Sequence, residues 1–85
     1  MVAEFTTEPF RGEGEPPRHA ERARDVALAA GLETDFGPLG TTVRGERAAV
    51  IGALADVIAA ALDSGATRVT LRVEVEPEAD ESNGE

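Results

Sequence analysis

The strongest constraint on the fold is a change of hydrophobic period across a single glycine. Between Arg47 and Ser64, the residues Val50, Ile51, Leu54, Val57, Ile58, Ala61 and Leu62 recur at steps of three and four. That spacing stacks side chains on one face of an α-helix. Gly65 then stops the helix, and from Thr67 to Val75 the period falls to two. Val69, Leu71, Val73 and Val75 alternate with Arg68, Thr70, Arg72 and Glu74, the pattern of a half-buried β-strand. Pro77 has no N–H to offer a ladder and ends the pairing. A helix feeding directly into a strand must fold back on a sheet, because neither element can bury its apolar side alone.

The first half of the chain contains the same two periods. Val2 to Phe10 reads as a strand, with Phe5 directed to the core and Glu4 and Thr6 to the opposite face. Arg11 to Pro17 is a loop carrying Gly12, Gly14 and Pro16. A helix is predicted from about Pro17 to Ala30, because proline at a first helical position gives up only an N–H that has no partner there. Its apolar stripe is Ala20, Ala23, Val26, Ala27 and Ala30, with Arg18, Glu21, Arg22, Arg24 and Asp25 facing water. Gly31 accepts the positive φ of a helix end.

Leu32 to Gly37 and Thr41 to Glu46 read as two strands joined by the turn Gly37-Pro38-Leu39-Gly40, an antiparallel hairpin. The order is therefore βαββαβ. Two right-handed crossovers around a central hairpin give an α+β, ferredoxin-like sandwich: a four-stranded antiparallel sheet with two helices on one face. The other face is expected to display Glu4, Thr6, Glu33, Asp35, Thr42, Arg44, Thr70, Arg72 and Glu74. Residues 1–75 form the domain, and 76–85 an acidic, disordered tail.

Charge and composition narrow the function. The net charge is −9 with no cysteine, and all eight basic residues are arginine. Thiol, zinc-thiolate and Schiff-base chemistry have no residue to work with. An acidic chain is repelled by phosphate backbones, so no nucleic acid is expected as partner. No apolar run nears the roughly 20 residues of a membrane span, and the N-terminus lacks the basic start and apolar run of a signal peptide. The expectation is a cytoplasmic protein with no membrane partner.

No catalytic centre is expected. Ser64 lies at a helix end and Ser82 in the tail, and the one histidine, His19, reads as an exposed residue in the first turn of its helix. A nucleophile with no base in reach makes no triad. Glu4, Glu33 and Asp35 could converge as hard metal ligands, but solvated carboxylates are commoner and no metal is expected. Gly12-x-Gly14 lies between a strand and a helix, yet Pro17 stands where the dinucleotide fingerprint needs glycine, and Glu13 and Glu15 would repel phosphate. The segment from Phe36 to Thr42 is more suggestive. It groups an aromatic ring, a tight turn and the hydroxyls of Thr41 and Thr42, the mixture of wall and fixed donors that suits a flat heteroaromatic ligand. The same residues also suit a plain hairpin, where glycine and proline turn the chain and threonine favours strands.

Three segments resemble the thiamine-binding-protein family, the YkoF-like group. They are V-A-E-F-T-T-E-P from Val2, G-P-L-G-T-T-V-R-G-E from Gly37 and G-A-T-R-V-T-L-R-V-E-V from Gly65. The likeness spans about Val2 to Val75. It implies a ferredoxin-like fold and homo-oligomers, dimers or tetramers, associated through sheet faces. It also implies binding of thiamine or its hydroxymethylpyrimidine moiety, with no other cofactor. By motif, Glu4 and Thr6 of the first strand and Gly40, Thr41 and Thr42 of the hairpin become the expected pocket residues, beside the Phe36 ring. The acidic Glu76-Pro77-Glu78, where the family often has basic residues, argues against phosphorylated forms of the vitamin. Two other readings compete with a non-catalytic binding protein. One is an oligomeric interaction module with no vitamin ligand. The other is a cofactor-free enzyme using Glu4 or Asp35 as base, which would need a carboxylate of strongly raised pKa.

Overall fold

A computed structural model describes residues 1–9, 15–37 and 40–76. Its elements are β1 (Val2–Glu8), α1 (Arg18–Ala29), β2 (Glu33–Phe36), β3 (Thr41–Arg44), α2 (Arg47–Asp63) and β4 (Arg68–Glu74). The strands form one sheet in the order β2-β3-β1-β4, and every neighbouring pair is antiparallel. This is the ferredoxin-like α+β arrangement expected from the element order. The loop over residues 10–14, the turn residues 38–39 and the tail from 77 onward lie outside the described residues. The predicted extension of β1 to Phe10, the Gly12-x-Gly14 loop and nearly all of the tail therefore fall there too.

Hydrogen bonds at one end of β1 fix the phase of the whole sheet. The Met1 amine donates to the Gly45 carbonyl at 3.0 Å, and the Gly45 N–H donates to the Met1 carbonyl at 3.1 Å. Bonded and non-bonded pairs alternate along an antiparallel ladder. Ala3 and Phe5 therefore also point their backbone groups at β3, whereas Val2, Glu4, Thr6 and Glu8 point theirs at β4. Through the register Val2↔Glu74, Glu4↔Arg72, Thr6↔Thr70 and Glu8↔Arg68, the backbone groups of those four β4 residues face β1. Those of Val69, Leu71 and Val73 face outward.

The core is built mostly from small residues. Ala3, Phe5 and Val43 supply the sheet side, and Ala23, Ala27, Val50, Ala53, Leu54, Val57 and Ala61 the helix side. Phe5 is the one buried phenylalanine among the described residues. Alanine at four-residue steps on α1 lets the two helices approach closely. Right-handed crossovers place α1 over the β2 side of the sheet and α2 over the β4 side, and each helix touches the corresponding edge strand.

Two expectations about burial are corrected. On α2 the buried stripe is Val50, Ala53, Leu54, Val57 and Ala61, while Ile51 and Leu62 stay about half exposed and Ile58 is partly buried. At 100° per residue, Ile51, Ile58 and Leu62 sit roughly a quarter turn from the centre of that stripe. Their flank looks past β4, away from α1. On β4 and just past it, Leu71, Val73 and Val75 follow the helix side, as alternation requires, yet are 37, 42 and 73 % exposed. They form the outermost column of the sheet, which α2 touches but does not fully cover.

Candidate functional site

The sheet face away from the helices is a grid set by strand register. One row runs Asp35, Thr42, Glu4, Arg72 across β2, β3, β1 and β4, and the next runs Glu33, Arg44, Val2, Glu74. Thr6 and Thr70 form the pair on the other side of the first row. Neighbouring strands lie about 4.8 Å apart, so the Thr42 hydroxyl stands between two carboxylates, Asp35 and Glu4. Alternation alone predicts this membership, and the structure places each of these residues accordingly.

Gly40 brings three of the expected pocket residues together. A Cβ at this position would lie 3.0 Å from Thr6 Cγ2, 3.2 Å from the Phe5 carbonyl oxygen and 3.7 Å from Glu4 Oε2. The hairpin end thus leans on β1, and a side chain here would crowd the Thr6 methyl and the Phe5 carbonyl while coming into ordinary contact with Glu4. The hairpin itself is closed by the Gly37 N–H donating to the Gly40 carbonyl at 2.9 Å. Among the described residues Glu4 makes no ion pair, so its exposed carboxylate keeps both oxygens available beside the half-buried hydroxyls of Thr6 and Thr42.

Thr41 and Phe36 do not join this group. They pair with each other across the hairpin, and Thr41 pairs with the core residue Phe5. All three therefore point to the helix side. Thr41 is 3 % exposed, and the Phe36 ring is covered by the guanidinium of Arg24, 4.9 Å from its centroid, a cation–π contact. The expectation of one pocket holding Phe36, Thr41 and Thr42 is thus divided by the pleat: successive residues of a strand face opposite ways.

Charges on the open face are partly neutralised by ion pairs. Arg44 Nε donates to Glu76 Oε2 at 3.0 Å. That hydrogen bond, then the Glu76 charge, and more weakly Glu33, raise the Arg44 pKa above its ordinary value. Arg68 meets Glu8 at 3.4 Å, its register partner. Asp35, Glu4 and Arg72 are left for a ligand or a facing surface. Glu33 and Asp35 on β2 are held apart from Glu4 by the intervening β3, and no metal-holding cluster forms among the described residues.

His19 is the functional-looking residue that the sequence reading misplaces. It is buried, 5 % exposed, not a surface residue of the first turn. Its Nδ1 lies 2.7 Å from the Thr7 hydroxyl and its Nε2 3.0 Å from the Pro9 carbonyl. A carbonyl only accepts, so Nε2 carries the proton and, in the neutral ring, Nδ1 accepts from Thr7. The ring ties the end of β1 to the start of α1. A signal for this was present, since His19, Ala23 and Ala27 fall at four-residue steps on one helix stripe and are the three buried residues of α1. Elsewhere, a shallow apolar depression at the start of α2 is lined by Glu46, Arg47, Ala48, Ile51 and Gly52. It holds none of the expected site residues.

Neither a family model nor a curated protein matches the sequence. The structure does resemble solved ones. A domain of unknown function, DUF77, from Bacillus cereus superposes with a TM-score of 0.67 at 20 % identity, over 96 % of this chain and 85 % of that one. The hypothetical protein MJ1052 from Methanocaldococcus jannascii gives 0.63 at 18 % identity, over 95 % of this chain and 89 % of that one. At such identities the likeness is one of fold. It agrees with the ferredoxin-like architecture and assigns no ligand. Among the described residues, no helix is long and apolar enough to cross a membrane.

Proposed function

We propose that this chain is a non-catalytic, cytoplasmic small-molecule binding protein that holds thiamine or its hydroxymethylpyrimidine moiety on the open face of the sheet, near a subunit interface. The observation that carries the reading is the meeting of Gly40 with Glu4 and Thr6, next to Thr42. An aminopyrimidine offers ring-nitrogen acceptors and an amine donor. The threonine hydroxyls can serve both, and the Glu4 carboxylate accepts from the amine. A thiazolium cation suits the carboxylates of Glu4 and Asp35, and a phosphorylated form would be repelled by them. The face is flat, whereas a bound small molecule usually buries most of its surface. A second sheet laid over the first supplies the missing wall, and exclusion of water strengthens the few hydrogen bonds.

Calorimetric titration with thiamine and, separately, with hydroxymethylpyrimidine tests the reading. Saturable binding of both is expected, weakened at least tenfold by Glu4→Gln or Thr42→Val, the scale of one lost charge-assisted or buried hydrogen bond. Absence of binding to folded protein would sink it. The competing reading, an assembly module without a vitamin ligand, is favoured by one observation of its own, the partly exposed apolar column of β4.

A further inference from the structure

We propose that the solvent side of α2 is a docking face for a helix of another protein, one that lays large apolar side chains on the face and lysine or arginine along one border. The inference does not rest on the vitamin reading. The face belongs to the helix layer, on the far side of the sheet from Glu4, Thr6 and Thr42.

The helix is apolar nearly all round. Val50 lies at the centre of its buried stripe. Counted from there at 100° per residue, Ile58, Ile51 and Leu62 stand at roughly 80–120°, and Ala55, Ala48, Ala59 and Gly52 at roughly 140–200°. Six of these are exposed and Ile58 is partly buried. A second apolar sector, about 120° wide, therefore runs along a helix whose first sector already covers the sheet. A surface helix ordinarily gives that second sector to charged and polar side chains. Here Asp56 and Asp63, at roughly 220–240°, mark one border only.

Gly52 points to close approach from outside. In a helix interior, glycine lowers the folding equilibrium about fivefold against alanine, and nothing within the chain asks for it. Its φ is not positive, and a Cβ there would meet no atom within 4 Å. A glycine with no internal reason leaves room for another backbone. It lines the shallow apolar depression together with Ala48, Ile51 and Arg47. The ridge of Ile51 and Ile58 beside the low row Ala48, Gly52, Ala55 and Ala59 is the relief into which the side chains of a second helix pack.

Charge selects the occupant. Asp56 and Asp63 are seven residues apart, so they stand on one line about 10 Å apart. Neither joins an ion pair among the described residues. Basic residues seven apart on a visiting helix meet both, as border charges do in paired helices. A second copy of α2 fits poorly. With a two-fold axis across the helices, each border meets its own counterpart and aspartate faces aspartate. With the axis along them, the aspartates face the apolar Ile58 border. A lipid surface fits poorly too, since helices that lie in one carry basic residues on their polar side.

Fluorescence anisotropy tests the face with a labelled amphipathic peptide as long as α2, carrying leucine and alanine on one face and lysines seven residues apart on its border. Saturable binding to the full chain is expected, at least tenfold tighter than that of a scrambled peptide of the same composition. Gly52→Leu fills the depression from its open side and should weaken binding at least tenfold, with an intact fold by circular dichroism. Asp56→Lys combined with Asp63→Lys should do the same through charge. No saturable binding, equal binding of the scrambled peptide, or affinity unmoved by both variants would overturn the proposal. A measurement without any partner bears on it as well. Gly52→Ala should raise the melting temperature by about 2–8 °C, and a lower one would show that Gly52 serves the chain's own packing and overturn it. An assembly state changed by Gly52→Leu in light scattering would make the face a self-contact. Sedimentation with phosphatidylcholine–phosphatidylglycerol vesicles that Gly52→Leu abolishes would make it a lipid contact. Either result would overturn the helical partner.

Discussion

Replacing His19 by phenylalanine keeps a ring in the same space and removes both nitrogens. The structure sets the size of the effect. The Nδ1 contact with Thr7 is 2.7 Å long, and both residues are under 10 % exposed. Losing it strands a buried hydroxyl, which costs about 1–3 kcal/mol. The bond from Nε2 to the Pro9 carbonyl is only partly buried, so water can replace it, and its loss adds about 0.5–1 kcal/mol. The expected total is about 1.5–4 kcal/mol, a large share of the roughly 4–13 kcal/mol that a chain of this length commands. With a urea slope near 1 kcal/mol per M, the midpoint should fall by about 1.5 M or more. The assay is urea unfolding followed by circular dichroism at one fixed protein concentration, since self-association would otherwise contribute. Thr7→Val completes a double-mutant cycle in which the double variant loses less than the sum of the singles, by about 0.5–3 kcal/mol. A His19→Phe midpoint equal to that of the unmodified protein, or strictly additive losses, would refute the clamp.

Two further outcomes follow from the same geometry. Gly40→Ala should destabilise the fold by about 1–3 kcal/mol, because its Cβ meets the Phe5 carbonyl and Thr6 at 3.2 Å or less and β1 must yield. The same change should weaken ligand binding, read by calorimetry, as Thr6 and the β1 backbone beside Glu4 shift. Phe5→Ala empties the site of the largest fully buried side chain and should cost about 3–5 kcal/mol, seen as a melting temperature lower by well over 10 °C for a domain of this size.

Much of the architecture was legible because period is a local property. The step of three and four in α2, the alternation of β4 and the turn residues at Gly37 and Gly40 each follow from backbone geometry within a few residues. Together they dictate the element order and hence the fold class. The open-face residues Glu4, Thr6, Asp35, Thr42 and Arg72 were legible for the same reason, once Phe5 was assigned to the core. His19 was misread for the opposite reason. Its four-residue spacing to Ala23 and Ala27 was visible, but only the placement of Thr7 and Pro9 makes a polar ring acceptable in the interior, and those partners lie ten or more residues away in the chain.

What the sequence determined by itself was the direction of each side chain relative to its own strand or helix. That alone sends Thr41 and Phe36 to one side and Thr42 and Glu4 to the other. What stands on each side follows from the packing of segments distant in the chain. That packing puts Arg24 over Phe36, leans Gly40 against Glu4 and Thr6, and places β4 at an edge where α2 leaves Leu71 and Val73 partly exposed. Local periodicity records that a residue has an apolar face. Whether that face meets a helix, water or a second copy depends on strand order and helix position, which are set by contacts between segments far apart in the chain.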